Sequence, residues 1–142
     1  MKILLAVDGS RFSLDAVNLV IEHADWYREA PMVELVTVHL PVPRLPRMGM
    51  AVGKGQIQKY YEEEGEERLL AARKKLDAGR IKYRASVLVG DVAESIVKHA
   101  RSTRCDLVCI GARGDSNLHK ALVGSVATKI LQISELPVLL VK

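Results

Sequence analysis

Short, nearly uncharged apolar runs alternate along this chain with longer stretches in which apolar residues recur every three or four positions. The first run, ILLAV at 3–7, ends in Asp-Gly-Ser; a continuous run of that length reads as a strand buried on both faces, as strands of parallel sheets are. From Leu14, the positions Leu14, Val17, Ile21 and Ala24 mark one face of a helix. VELVTVHL at 33–40 is rich in β-branched residues and makes a second strand. Ile57, Tyr61, Leu69, Ala72 and Leu76 then share one face of a helix over 57–78. Its acidic residues, from Glu62 to Glu67, precede Arg73, Lys74 and Lys75, an order that suits the helix dipole on a solvated face. YRASVLVG at 83–90 is a third strand, and Asp91 with Glu94 resembles a capping box opening a helix through Ala100. DLVCIG at 106–111 is the fourth strand. Val126, Ile130 and Ile133 mark a last helix, stopped near Ser134 by the approach of Pro137, and PVLLV at 137–141 is the fifth strand.

Five strands alternating with four helices imply right-handed βαβ units and a parallel sheet covered on both faces, an α/β fold. The 142 residues fit one domain, and 49% hydrophobic with 27% charged residues is ordinary for a globular protein. A net charge of +4 favours anionic ligands only mildly. Basic residues are not interleaved with aromatic ones, which argues against a nucleic-acid platform. The apolar run before Asp8 is too short for a signal-peptide core or a membrane span, so a cytoplasmic protein with no membrane contact is expected. Cys105 and Cys109 stand without a His-rich or Cys-rich partner segment and read as buried free thiols rather than a zinc site. The prolines at 41–46 deny residues 41–50 regular structure, and this stretch reads as a mobile loop.

Ligands of open α/β sheets bind beyond the carboxyl ends of the strands, where strand order reverses. Those ends fall at Asp8, at His39 and Leu40, at Gly90 and Asp91, and at Gly111. From the last of these runs IGARGDSNLHKALVGS, residues 110–125, which carries Gly111, Gly114 and Gly124 and delivers Ser125 to a helix start. Free backbone N–H groups and the positive dipole end there favour an anion. Glycine permits positive φ and lets phosphate oxygens approach the backbone, while Ser125 and Thr128 add hydroxyl donors. The stretch therefore reads as a phosphate cradle. No G-x-x-x-x-G-K-[ST] is present, and the one G-x-G, Gly53 to Gly55, follows no strand and lacks a third glycine, which excludes a P-loop ATPase and a typical dinucleotide-binding dehydrogenase.

Gly111-x2-Gly114-x9-Gly124-Ser125 resembles the G-x2-G-x9-G-[ST] motif of nucleotide-binding universal stress proteins. ILLAVDGS, the aliphatic-His ending of strand two, VGDVAESI and the closing PVLLV are similar to that family along the whole chain. The resemblance implies a single doubly wound domain, residues 1–142, with a five-stranded parallel sheet of order 3-2-1-4-5, like that of the adenine nucleotide alpha hydrolases. It implies binding of ATP or AMP. The backbone of Ala6 and Val7, together with Asp8, would meet the adenine or ribose, and Leu40 would contact the base through its backbone, at a position where the family usually has valine. Gly111 and Ala112 would line the ribose side; Gly114, Gly124, Ser125 and Val126 would receive the phosphates. Family binders often have a hydroxyl residue two places after the serine, where this chain has Ala127. Arg113 either reaches phosphate or points into solvent, and Asp8 either hydrogen-bonds the nucleotide or holds Mg²⁺ together with phosphate oxygens.

An apolar strand left unpaired at a sheet edge invites aggregation, so Pro137, Val138, Leu139, Leu140 and Val141 are expected to pair with their copies in a homodimer, as universal stress proteins commonly do. No catalytic residue is assigned: His39 and His119 do not define a nucleophilic arrangement by spacing. The expected activity is nucleotide-dependent regulation in a stress response, by binding rather than turnover. A slow ATPase and a nucleotide-free dimeric adaptor are the alternatives, and the protein partner is not given by the sequence.

Overall fold

The computed structural model describes residues 1–42, 53–114 and 123–142. Strand β1 (Lys2–Ala6) leads into helix α1 (Arg11–Glu22), which a short 3₁₀ turn (Ala24–Trp26) connects to β2 (Met32–His39). Helix α2 (Lys54–Ala78), β3 (Tyr83–Val89), α3 (Val92–Ser102), β4 (Leu107–Gly111), α4 (Ser125–Ile133) and β5 (Val138–Val141) follow. Most of the expected loop at 41–50 and the centre of the glycine stretch, with Asp115 and His119, lie outside the described residues.

All strand pairs are parallel and the sheet order is β3-β2-β1-β4-β5, as the resemblance implies. Alternation along each strand sends side chains to two separate cores. Ile3, Leu5, Val7, Val33, Leu35 and Cys109 pack under α1 and α2, with Val17, Val20, Leu69 and Leu76. Leu4, Val36, Val38, Val108 and Ile110 pack under α3 and α4, with Ile96, Val97 and Ile130. The order reverses between β1 and β4, and the carboxyl ends of these two strands open a crevice.

Local chemistry sets the helix starts. α1 begins earlier than its apolar face suggests because Ser10 caps it, its Oγ accepting from Ser13 N at 3.3 Å. Asp91 caps α3, its Oδ1 accepting from Glu94 N at 3.0 Å. The Glu94 carboxylate turns to Lys129 Nζ at 3.0 Å, so Asp91 and Lys129 tie the start of α3 to α4. In α2 the first turn holds no acidic residue. The run from Glu62 to Glu67 lies in the helix interior, so of the expected match to the dipole only the basic end at Lys75 remains.

One strand is not uncharged in the way its pattern suggests. Glu34 on β2 is 3% exposed and pairs with Lys2 Nζ at 2.7 Å, with His99 Nε2 3.6 Å away. Burying that carboxylate is tolerable because a cation from β1 meets it, and the Lys2 ammonium also donates to Thr103 O at 2.9 Å. Among the described residues, no helix is long and apolar enough to cross a membrane.

Candidate functional site

A cavity of about 480 Å³ occupies the crevice at the carboxyl ends of β1, β2 and β4, within the size range of small-molecule sites. The structure brings to its wall Ala6, Val7 and Asp8 at the end of β1, Leu40 after β2, Gly111, Ala112, Arg113 and Gly114 at the end of β4, and Gly124, Ser125 and Val126 at the start of α4, whereas Gly90, Asp91 and Thr128 do not line it. Val36, Val38, Ile96 and Ile110 give the cavity an apolar floor.

The acidic turn is held by its own residues. Asp8 Oδ1 accepts from Ser10 N at 3.0 Å and from Ser10 Oγ at 2.6 Å, and Asp8 N donates weakly to Ser13 Oγ at 3.4 Å. Gly9 takes φ +85°, a conformation open to glycine at little cost, and this turns the chain from β1 into α1. The second carboxylate oxygen of Asp8 faces Gly114, where an added Cβ would lie 2.9 Å from Oδ2.

Positive φ is not the reason for glycine at the three positions of the motif: among the described glycines only Gly9 and Gly90 adopt it. Close approach is. A Cβ on Gly111 would lie 2.7 Å from Phe12 O, so Gly111 is needed for α1 to pack on β4. Gly124 has φ −72° and ψ 162°, which any residue adopts, and a Cβ there would meet Ala112 O at an ordinary 3.5 Å. Gly124 N donates to Ala112 O at 2.7 Å, so its amide is engaged within the protein. The amides of Ser125 and Val126, in the first turn of α4, precede the first helical bond, from Thr128 N to Gly124 O. Among the described residues, no side chain caps this helix start. Thr128, expected to add a donor, instead donates its hydroxyl back to Gly124 O at 3.0 Å, and Ala127 is buried against the α3–α4 core.

Several lining residues are not evident from the motifs: Ser13 on α1, and Tyr60 and Arg68 on α2. Tyr60 and Tyr61 form an aromatic cluster with His39, with ring centroids 6.4 and 5.6 Å from the imidazole. Tyr61 Oη accepts from Val42 N at 2.7 Å, fixing the chain beyond β2. His39 is buried, and its Nε2 has no hydrogen-bond partner among the described residues. Burial first, then the Arg68 guanidinium, hold this imidazole below its ordinary pKa, with Glu64 acting in the opposite sense. Both leading influences favour the neutral imidazole. Among the described residues no group of three or more His, Cys, Asp or Glu is arranged to hold a metal ion.

The fold defines an open, doubly wound α/β protein with a cavity at the switch point, the place where such sheets bind ligands. The chain belongs to the universal stress protein family, whose family model matches residues 1–142. It is 32% identical over 142 residues to universal stress protein MJ0531 of Methanocaldococcus jannaschii, covering 99% of this chain and 81% of that protein. Among solved structures, MJ0577 of the same organism superposes with a TM-score of 0.79 at 28% identity, covering 99% of this chain and 94% of that one. A universal stress protein in complex with cAMP shares the fold at TM-score 0.67 and 22% identity, covering 99% of this chain and 95% of that one. So does a family protein of Arabidopsis thaliana with AMP bound, at TM-score 0.68 and 16% identity, covering 100% and 91%.

Proposed function

We propose that this universal stress protein binds an adenine nucleotide, ATP or AMP, in the switch-point cavity and acts as a nucleotide-dependent regulator rather than by turnover. The observation that carries this reading is the presence of two opposite chemistries in the lining of one cavity. The first-turn amides of α4 lie at the positive end of a helix whose N-cap, Gly124, offers no side chain. That end suits phosphate. At the end of β1 Asp8, an acceptor only, suits the hydroxyls of a ribose and not phosphate oxygens. Leu40 and the apolar floor leave room for a base. Fold neighbours that hold cAMP and AMP support the ligand class.

In this reading the backbone of Ala6 and Val7 and that of Leu40 meet the base, with Asp8 at the ribose and Gly111 and Ala112 beside it. Gly114, Ser125 and Val126 take the phosphates, Gly124 leaves them room, and Arg113 stands at the mouth. The described walls supply one carboxylate, Asp8, for a magnesium ion, so such an ion would depend on phosphate oxygens for further ligands. We place the protein in the cytoplasm as one domain, with two copies joined through β5.

Mass spectrometry of small molecules released from freshly purified, denatured protein tests the reading, together with titration of the emptied protein. ATP or AMP recovered from the wild type, and none from a folded Gly114→Val, Gly124→Val variant, is the expected result. A wild type that carries no nucleotide and binds none at millimolar concentration overturns it.

A further inference from the structure

Arg68 stands apart from the motif residues of the cavity because it comes from α2, one turn after Glu64. It lines the cavity and is half-buried. Its stem is held in place: the Cβ position of Gly9 lies 3.5 Å from both its Cα and its Cγ, so the acidic turn packs directly on the arginine. Its head is nearly unused. The guanidinium offers five N–H donors, yet among the described residues its one hydrogen bond is to Val38 O at 3.5 Å, the outer limit of such a contact. No carboxylate of the described residues forms an ion pair with it. A half-buried guanidinium held at a cavity wall, with most of its donors unpaired among the described residues, is a group positioned for acceptors that a ligand can bring.

The position also says which part of a ligand it faces. Val38 and His39 close β2, and Gly9 follows Asp8, so Arg68 sits at the β1–β2 side of the cavity. The first turn of α4 and Gly114 form the β4 side. Asp8 accepts and Arg68 donates. A sugar hydroxyl, which does both, is matched by such a pair in a way that neither residue achieves alone. We infer that Arg68 is a ligand-binding residue of this cavity, its guanidinium donating to the nucleoside half of the bound nucleotide and not to the phosphates. The inference rests on the nucleotide reading above and adds a contact to it.

Calorimetric titration of adenosine, AMP and ATP into the wild type, Arg68→Ala and Arg68→Gln separates the possibilities. Arg68→Gln keeps part of the stem that packs on Gly9, and the melting temperature of each ligand-free variant checks the fold. A nucleoside contact predicts that both variants bind all three ligands about 10- to 100-fold more weakly, the range of one charged hydrogen bond, by a similar factor for each. Unchanged affinities, or a loss seen with AMP and ATP but absent with adenosine, overturn the inference while leaving the nucleotide reading intact. A wild type that binds none of the three overturns both.

Discussion

A side-chain carbon added to Gly114 would lie 2.9 Å from Oδ2 of Asp8, a separation that real Cβ atoms essentially never show. The carboxylate has little freedom to retreat, because its Oδ1 is held by the amide and hydroxyl of Ser10. Gly114→Ala should therefore displace the Asp8 carboxylate into the cavity and weaken AMP binding about tenfold, with little change in melting temperature. Gly124→Ala is the contrasting case: its Cβ has ordinary contacts, so any affinity it loses reports on space the ligand needs. Calorimetry and thermal melting on both variants check this pair, and a Gly114→Ala protein with wild-type affinity would remove Asp8 and Gly114 from the site.

The residues of the cavity that were legible in the sequence are those at strand ends. Asp8, Leu40 and Gly111 terminate apolar runs, and in a doubly wound sheet such ends converge whatever the helices do. Tyr60 and Arg68 were not legible because they sit on the long α2, whose rotation about its axis is set by packing against the sheet. The Glu34 pair was hidden for a related reason: its partners, Lys2 and His99, are distant in sequence, and a lone charge in an apolar run does not announce them. Thr128 shows the limit of reading hydroxyls from spacing, since a threonine in a first helical turn has a nearby backbone carbonyl to satisfy it.

Close packing of α2 is concentrated at Gly65. A Cβ there would lie 2.6 Å from Val87 Cγ1 and clash also with Cγ2. Gly65→Ala should cost about 2 kcal/mol of stability, the scale of overpacking a filled core. Combined with Val87→Ala, the new methyl has space, so urea denaturation should show the double variant more stable than the sum of the single losses by at least about 1 kcal/mol. Simple additivity would mean that Gly65 is not at the contact that sets the depth of α2.

The ion pair at the opposite end of the sheet makes a different prediction. Lys2→Met leaves the buried Glu34 carboxylate without its 2.7 Å partner. The loss should be about 2 kcal/mol, reduced from the value of a fully buried pair because the Lys2 side chain is 27% exposed. Adding Glu34→Leu removes the stranded charge and should restore most of that stability. Denaturation of the single and double variants at pH 7 decides it: a double variant no more stable than Lys2→Met would show that the charge is not what the lysine compensates.

Alkaline pH probes the core directly. Burial pushes the Cys109 thiol up to about 12, whereas an unfolded cysteine ionises near 8.5. The stabilisation from keeping this thiol protonated is full below about pH 8.5 and is lost as pH rises through about 12. From pH 8 to pH 10 the stability of the wild type should fall by about 2 kcal/mol more than that of Cys109→Ala. Urea denaturation of both proteins at the two pH values measures the difference; parallel losses would show that Cys109 is not the group responsible.

The edge strand gives the sharpest test of assembly. Val108 N donates to Pro137 O and Ala112 N to Val141 O, so the odd-numbered residues of β5 face β4. In a parallel ladder the residues between them, Val138 and Leu140, turn their backbone N–H and C=O groups outward, where a second copy of β5 can pair with them. Leu140→Pro removes one outward donor without taking a hydrogen bond from the β4 ladder. Sedimentation velocity should find the wild type dimeric at micromolar concentration and Leu140→Pro monomeric, with a melting temperature that no longer rises with protein concentration. A variant that remains dimeric would place the interface elsewhere, and a wild type that sediments as a monomer would mean that β5 is an edge this protein leaves uncovered.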